Sequence, residues 1–129
     1  MSHDPSDLPP EALEFLRERA LASLTTIRPD GTPHVVPVGF SWDDEAGVAR
    51  IITFDPSTKV TNIRRTGRAA VCQIDGPRWI TLEGPAEVTD DPDRVAAAVA
   101  GYAERYRDPA ERANRVAIEI AVSRVLGRW

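Results

Sequence analysis

Three segments of the chain carry the features of α-helices. The first follows Asp7, a candidate N-cap, and its apolar positions are Ala12, Phe15, Leu16 and Ala20. A short second helix is predicted over residues 58–66, and Gly67 is typical of the left-handed residue that ends a helix. The third follows Asp91, and its apolar stripe consists of Val95, Val99, Tyr102 and Tyr106.

Between these helices, apolar and polar residues alternate as they do in β-strands. The predicted strands cover residues 20–28, 33–42, 48–54, 68–75, 78–88 and 115–122. The Pro-Asp-Gly-Thr sequence at residues 29–32 predicts a hairpin turn between the first two. Six strands joined mainly by hairpins, with peripheral helices, predict a mainly β protein whose antiparallel sheet closes into a small barrel. A chain of 129 residues predicts a single domain, residues 1–129.

The second predicted strand contains two residues that are unusual in a central strand. Pro37 cannot donate a hydrogen bond to a neighbouring strand, and Gly39 on the same face has no side chain. Three explanations fit this pair: a sheet edge, a β-bulge, or the close approach of a ligand to the backbone.

Composition and charge exclude several classes of protein. A net charge of −4 argues against nucleic acid as a general partner. Cys72 is the only cysteine, so no intrachain disulfide is possible, and the spacing of cysteine and histidine indicates no metal site. No apolar segment is long enough to span a membrane, and the first residues do not resemble a secretory signal, so a cytoplasmic protein is expected.

Residues 57–59 form a candidate anion site. Ser57 is a good N-cap for the second helix, which places Thr58 and Lys59 in its first turn, where free N–H groups attract anions. Lysine is electrostatically unfavourable at a helix N-terminus unless an anion binds there, and Lys59 is the only lysine among sixteen basic residues. The alternative is a lysine that simply extends into solvent, but the pattern favours a phosphate site.

The sequence does not identify a catalytic residue. The position of His34 at the start of a strand favours a side chain that is simply exposed to solvent. The strand around Cys72 favours a cysteine that acts as a small apolar side chain. Glu83 and Glu119 are not placed as an acid–base pair. Trp79 follows a tight turn and fits two roles equally well, packing in the core or lying against a planar ligand.

The ordered motifs PHVVPVGF, ITF, STKVTNI and RWITLEGPAEV resemble those of the pyridoxamine-phosphate-oxidase-like flavoproteins, which have an FMN-binding split β-barrel. The resemblance covers essentially the whole chain. Within that family, the chain is most similar to short actinobacterial members that use the deazaflavin coenzyme F420. The chain ends at Trp129, before the C-terminal substrate residues of true pyridoxamine phosphate oxidases, so that activity is not expected.

The resemblance implies a homodimer with two identical cofactor sites at the subunit interface. One set of residues would line the cofactor ring: His34, Val35, Val36, Pro37 and Val38 from one strand, and Arg50, Ile51, Ile52 and Thr53 from another. A second set, Ser57, Thr58 and Lys59, would hold the phosphate, with Asn62 and Arg65 beside it. Arg78 and Trp79 would reach the site from the partner subunit.

The expected function is therefore a reductase that moves hydride from reduced F420 to an organic acceptor, with biliverdin as the specific acceptor. Two alternatives remain open: an FMN-dependent oxidoreductase on the same fold, and a non-catalytic protein that binds F420 or a flavin. Because F420 carries a tail of glutamate carboxylates in addition to its phosphate, the nearby arginines favour F420 over FMN.

Overall fold

The computed structural model describes residues 2–129, which contain nine β-strands and three α-helices. Strands β1 to β5 are Ser2–His3, Ala22–Ile27, Pro33–Val38, Ser41–Asp43 and Val48–Phe54. Strands β6 to β9 are Arg68–Asp75, Arg78–Thr89, Arg115–Ala121 and Arg124–Arg128. The helices are α1, Pro10–Arg17, α2, Thr58–Thr66, and α3, Pro92–Arg105. Within the described range, no helix is long and apolar enough to cross a membrane.

All strand pairs are antiparallel, and the hydrogen-bonded order is β3-β2-β6-β7-β8-β5-β4. The long strand β7 pairs with β6 and β9 along its first part and with β8 over its last residues, so it joins the two halves of the sheet. The predicted mainly β fold with peripheral helices is confirmed. The strand count is nine rather than six, and the order ends at β3 and β4 instead of closing.

The predicted strand 33–42 is divided because the chain leaves the sheet at Gly39 and Phe40. Pro37 lies on the edge strand β3, where its missing N–H does not interrupt a second ladder. A Cβ atom on Gly39 would lie 3.0 Å from the Tyr102 ring and 3.1 Å from the Tyr106 ring. The edge position therefore accounts for Pro37, and the packing of Tyr102 in α3 and Tyr106 directly after it against the backbone accounts for Gly39.

Two of the predicted capping residues, Asp91 and Gly67, define helix boundaries as expected. Asp91 caps α3 by accepting a hydrogen bond from the Arg94 N–H at 3.0 Å, and Gly67 ends α2 with φ of 68°. Asp7 does not cap α1, because the helix begins after Pro9 and has no side-chain cap.

A polar cluster inside the fold fixes the C-terminal end of α3. The Arg105 guanidinium donates to the Phe40 carbonyl at 2.7 Å, the Glu18 carbonyl at 2.9 Å and Gln73 Oε1 at 2.5 Å. The Tyr106 hydroxyl donates to the Ala20 carbonyl at 2.6 Å. These contacts satisfy the carbonyl of the buried Phe40 and the side chain of the buried Gln73, and they set the point at which the loop to β8, residues 106–114, leaves the helix.

Candidate functional site

A cavity of about 650 Å³ opens where the ends of β3 and β5, the start of α2 and the loop after α3 meet. Five of the predicted cofactor residues line it: Pro37, Val38, Ile52, Thr53 and Lys59. Strand ends and a helix start converge there because β5 leads directly into α2 through a short turn. The volume is within the range of ordinary ligand pockets.

The start of α2 carries hydrogen-bonding groups that the protein itself does not use. Ser57 is the N-cap residue, but its hydroxyl makes no capping bond, and its buried Oγ has no hydrogen-bond partner within residues 2–129. The first turn of α2 contains no acidic residue. Ser57 thus differs from the predicted capping role, and its free hydroxyl beside the first N–H groups of the helix fits an anionic group such as a phosphate.

Lys59 projects its charge towards the cavity from this first turn. The ammonium is half-buried, and burial lowers the pKa of Lys59 below the ordinary lysine value. Among residues 2–129, no carboxylate lies within ion-pair distance of it. A desolvated cation without a counter-ion is costly unless a ligand supplies the negative charge. Its environment therefore favours an anionic ligand.

Asn62 and Arg65 attach α2 to β2. The Asn62 amide donates to Thr26 Oγ1 at 3.0 Å, and the Arg65 guanidinium donates to the Ile27 carbonyl and to Asn62 Oδ1 at 3.4 Å. Asn62 is buried. Neither residue lines the cavity, and their contacts hold the helix that carries Lys59 in place.

His34 is partly buried, and its Nδ1 has no hydrogen-bond partner among the described residues. The residue pairs with Thr26 across the β2–β3 ladder, and Thr26 accepts the bond from Asn62. Simple exposure of His34, as the sequence favoured, does not describe this ring. A buried imidazole nitrogen without a partner is a position where water or a ligand completes the hydrogen bonding.

Four further ring-lining predictions lie away from the cavity. Val35 is 57% exposed and lines a separate shallow cleft, Val36 packs against the core, and Ile51 is buried in it. Arg50 is bound by Asp43 at 2.7 Å and Glu119 at 3.3 Å, and it lines a second cleft between α1, β4 and α3. Thr58 is exposed at the start of α2 and does not line the cavity.

Arg78 and Trp79 also lie outside the cavity. Both terminal nitrogens of Arg78 bind the Glu18 carboxylate, at 2.8 and 3.0 Å, and Asp75 is a further partner at 2.5 Å. Trp79 is 37% exposed and pairs across the ladder with Ile74. Within one chain these two residues do not reach the cavity, so their role at a shared site stays a prediction.

Sequence reasoning missed Phe54, Tyr102 and the cationic residues of the loop after α3. Phe54 lies at the end of β5, and the loop contributes Arg107 and Arg112, together with Asp108 and Glu111, to the cavity lining. The density of arginine between residues 105 and 115 was the available signal. It was not informative alone, because arginine is abundant throughout the chain.

The chain belongs to the pyridoxamine 5'-phosphate oxidase family, whose model matches residues 8–128. A curated relative, the F420H(2)-dependent biliverdin reductase of Mycobacterium tuberculosis, is 50% identical over 117 residues, which cover 91% of this chain and 85% of the relative. The family resemblance stated from the sequence motifs is confirmed.

Two solved structures extend the comparison. Rv2991, a conserved hypothetical protein of Mycobacterium tuberculosis, has a TM-score of 0.79 at 25% identity and covers 94% of this chain and 84% of its own. A protein described as an F420 reductase has a TM-score of 0.75 at 28% identity, covering 92% of this chain and 98% of its own. The fold is therefore shared with proteins of distant sequence.

Proposed function

We propose that this protein is an F420-dependent oxidoreductase and that its acceptor is biliverdin. The observation that carries the proposal is the 50% identity to a biliverdin reductase that uses reduced F420, over 91% of this chain. The same relative favours F420 over the FMN alternative. The unpaired Lys59 beside the free Ser57 hydroxyl supports the proposal independently, because these groups fit the phosphate that the cofactor carries.

When bound, reduced F420 supplies the hydride, and the protein supplies position, charge and exclusion of water. Ser57, Thr58 and Lys59 hold the phosphate at the start of α2. The ends of β3 and β5 provide an apolar wall for the ring through Pro37 and Ile52. The other residues that we propose to contact the cofactor are His34, Val35, Val36, Val38, Arg50, Ile51, Thr53, Asn62, Arg65, Arg78 and Trp79.

Binding and turnover assays separate the proposed function from both alternatives. Purified protein should quench the fluorescence of added F420 and should oxidise reduced F420 only when biliverdin is present. Tight FMN binding without F420 binding would support the flavin enzyme instead. F420 binding without turnover of biliverdin or any other acceptor would leave the non-catalytic binder.

We further propose that the protein is a homodimer with its cofactor sites at the interface. The outer face of β3 and β6, together with the residue before β2, exposes Leu21 by 65%, Val35 by 57% and Ile74 by 64%, with Trp79 of β7 beside them. These residues surround a shallow cleft of about 330 Å³, with Val35 and Ile74 in its lining. Exposed apolar patches of this kind mark interaction surfaces, and a second copy of the chain would cover this one.

Light scattering tests the dimer, and the substitution Ile74→Lys tests its surface. We expect a dimer for the wild type and a monomer with weaker F420 binding for Ile74→Lys. An Arg124→Ala variant, changed on an exposed arginine, serves as the control that stays dimeric. A wild-type monomer with full F420 affinity would contradict the shared-site proposal.

A cytoplasmic location is part of the same proposal. Each turnover would convert reduced F420 to its oxidised form, so the proposed reaction needs a continuing supply of reduced coenzyme, which a cytoplasmic location would provide. Fractionation of cells that produce the protein should find it with cytoplasmic markers, and recovery with the membrane or the medium would contradict the proposal.

A further inference from the structure

Phe54 holds two cations at the wall of the cavity. It is the last residue of β5, and its side chain is 38% exposed. The Lys59 ammonium lies 5.5 Å from the centre of its ring, and the Arg112 guanidinium carbon lies 4.5 Å from the same point. Both distances are within the range of cation–π attraction. One aromatic ring therefore brings together charges from α2 and from the loop after α3.

Neither of these cations has an anionic partner among residues 2–129. The arginines that do form ion pairs in this range are Arg50, Arg64, Arg78, Arg94 and Arg124, and of their partners only Asp55, which binds Arg64, is adjacent to Phe54 in the chain. In a chain with a net charge of −4, carboxylates are not scarce. Asp108 and Glu111 also line this cavity, but neither lies within ion-pair distance of Lys59 or Arg112, so among the described residues the two cations share one ring without a carboxylate partner.

The loop that carries Arg112 is attached directly beside Phe54. The Asp55 N–H donates to the Asn114 carbonyl at 3.1 Å, and the Asn114 amide donates to the Asp55 carbonyl at 3.2 Å. The Arg115 guanidinium braces the loop from inside by donating to the Ala110 carbonyl at 2.6 Å. These bonds hold the backbone of Arg112 near the ring, so its position does not depend on the cation–π contact alone.

We propose that Arg112 binds a second anionic group of the ligand in this cavity, and that Phe54 is the residue that positions Arg112 and Lys59 for it. The inference rests on the proposed function, and it adds the chemistry of the ligand: a phosphate at Lys59 and a further carboxylate or phosphate at Arg112. The carboxylate can belong to the glutamate tail of the cofactor or to the acceptor.

The test compares Arg112→Ala, Phe54→Leu and Phe54→Tyr with Arg124→Ala as a control that removes the same charge outside the cavity. The dissociation constant of F420 is measured by fluorescence quenching at low and moderate salt, and the KM for biliverdin by turnover. We expect Arg112→Ala to weaken the affected ligand about threefold to tenfold and to reduce the salt dependence of its binding.

Phe54→Leu keeps the apolar bulk but removes the ring face, so it should reproduce most of the Arg112→Ala effect, whereas Phe54→Tyr should restore wild-type binding. Combining Phe54→Leu with Arg112→Ala should cost less than the two effects added together, because both changes disrupt the same contact. A merely structural role for Phe54 would lower stability without changing the salt dependence.

The measured quantity that changes identifies the source of the anionic group. A rise in the F420 dissociation constant assigns it to the cofactor, and a rise in the biliverdin KM at unchanged F420 affinity assigns it to the acceptor. Unchanged values of both in Arg112→Ala would overturn the proposal. Calorimetric titration with pyrophosphate makes the test of Arg112 independent of the proposed function. If the wild type binds no F420, the proposed function fails. The pyrophosphate affinities of wild type and Arg112→Ala still decide whether Arg112 binds an anionic group.

Discussion

Two positively charged side chains, Arg50 near the start of β5 and Lys59 beyond its end, have contrasting electrostatic environments. Near its start, Arg50 is bound by Asp43 and by Glu119, and Glu119 also binds Arg94. Beyond its other end, Lys59 projects towards the cavity without a carboxylate among the described residues. The charges near the first end are paired within the chain, whereas Lys59 is available to an anionic ligand, as the proposed function requires.

The pKa values follow the same division. Burial of Glu119 by itself raises its carboxyl pKa, but the hydrogen bonds from Arg94 and Arg50 outweigh that effect and lower it overall. Burial of Lys59 lowers the ammonium pKa, and no partner opposes the effect. Paired charges therefore stabilise the fold of the free protein, whereas an unpaired buried charge reduces its stability and is available for binding.

The largest effect should come from breaking the paired end. Glu119→Ala leaves Arg50 and Arg94 without their shared partner, and the Glu119 side chain is only 13% exposed. We expect the free energy of unfolding to fall by about 2–4 kcal/mol, as when one member of a largely buried ion pair is removed. Urea denaturation measures this loss. The exposed partner Glu87 provides the control, and an equal loss in Glu87→Ala would contradict the comparison.

The unpaired end should respond in binding rather than in stability. We expect Lys59→Ala to weaken F420 binding by about 1.5–3 kcal/mol, the range of a charge-assisted hydrogen bond. The free protein should be at least as stable as wild type, since a desolvated charge at a helix N-terminus has been removed. The Lys59→Arg variant should bind F420 with intermediate affinity, because a planar guanidinium group replaces the compact ammonium donor. Wild-type affinity in Lys59→Ala would place the phosphate site elsewhere.

Local patterns in the sequence were sufficient for most of the secondary structure and for the start of α2. Gly67, Asp91 and the hairpin turn before β3 act on neighbouring residues, so their effects are visible in short segments. The strand count was wrong at three places: β4 is separated from β3 where the chain leaves the sheet at Gly39, which packs against the distant Tyr102 and Tyr106, and the short strands β1 and β9 form through pairing with each other and with β7.

The residues of the candidate site also divide into those whose role a short segment predicts and those whose role depends on distant partners. The anion-binding character of residues 57–59 follows from one helix start. In contrast, the partner of Asn62 lies 36 residues away, one partner of Arg50 lies 69 residues away, and Arg78 is bound by a residue 60 positions away. A sequence pattern identifies a cation but not its partner, and the partner decides whether the cation stabilises the fold or binds a ligand.

Raising the pH should separate affinity from stability at Lys59. Because its pKa is lowered in the folded protein, the charged ammonium reduces stability below that pKa, and the penalty disappears as pH rises through it. The affinity for F420, in contrast, should fall about tenfold as the ammonium loses its proton, and the fall should begin at a pH below the ordinary lysine pKa. Lys59→Arg should show no such decline, because arginine stays protonated. Binding titrations across alkaline pH, with circular dichroism to verify folding, measure both trends.

Arg78 gives the smallest effect and the sharpest distinction between the two classes of cation. With Glu18 and Asp75 both bound to its guanidinium, and the Phe15 ring 4.5 Å away, Arg78 behaves as a paired cation within the chain. We expect Arg78→Ala to lower Tm by about 1–4 °C at low salt and by less at high salt, since exposed ion pairs are weak and screened. Differential scanning calorimetry and F420 titration on the same samples decide the assignment. If Tm is unchanged while F420 affinity falls with a shallower salt dependence, Arg78 belongs with Lys59 as a ligand-binding cation. In that case Arg78 exchanges its contacts with Glu18 and Asp75 for contacts with the cofactor bound to the partner subunit.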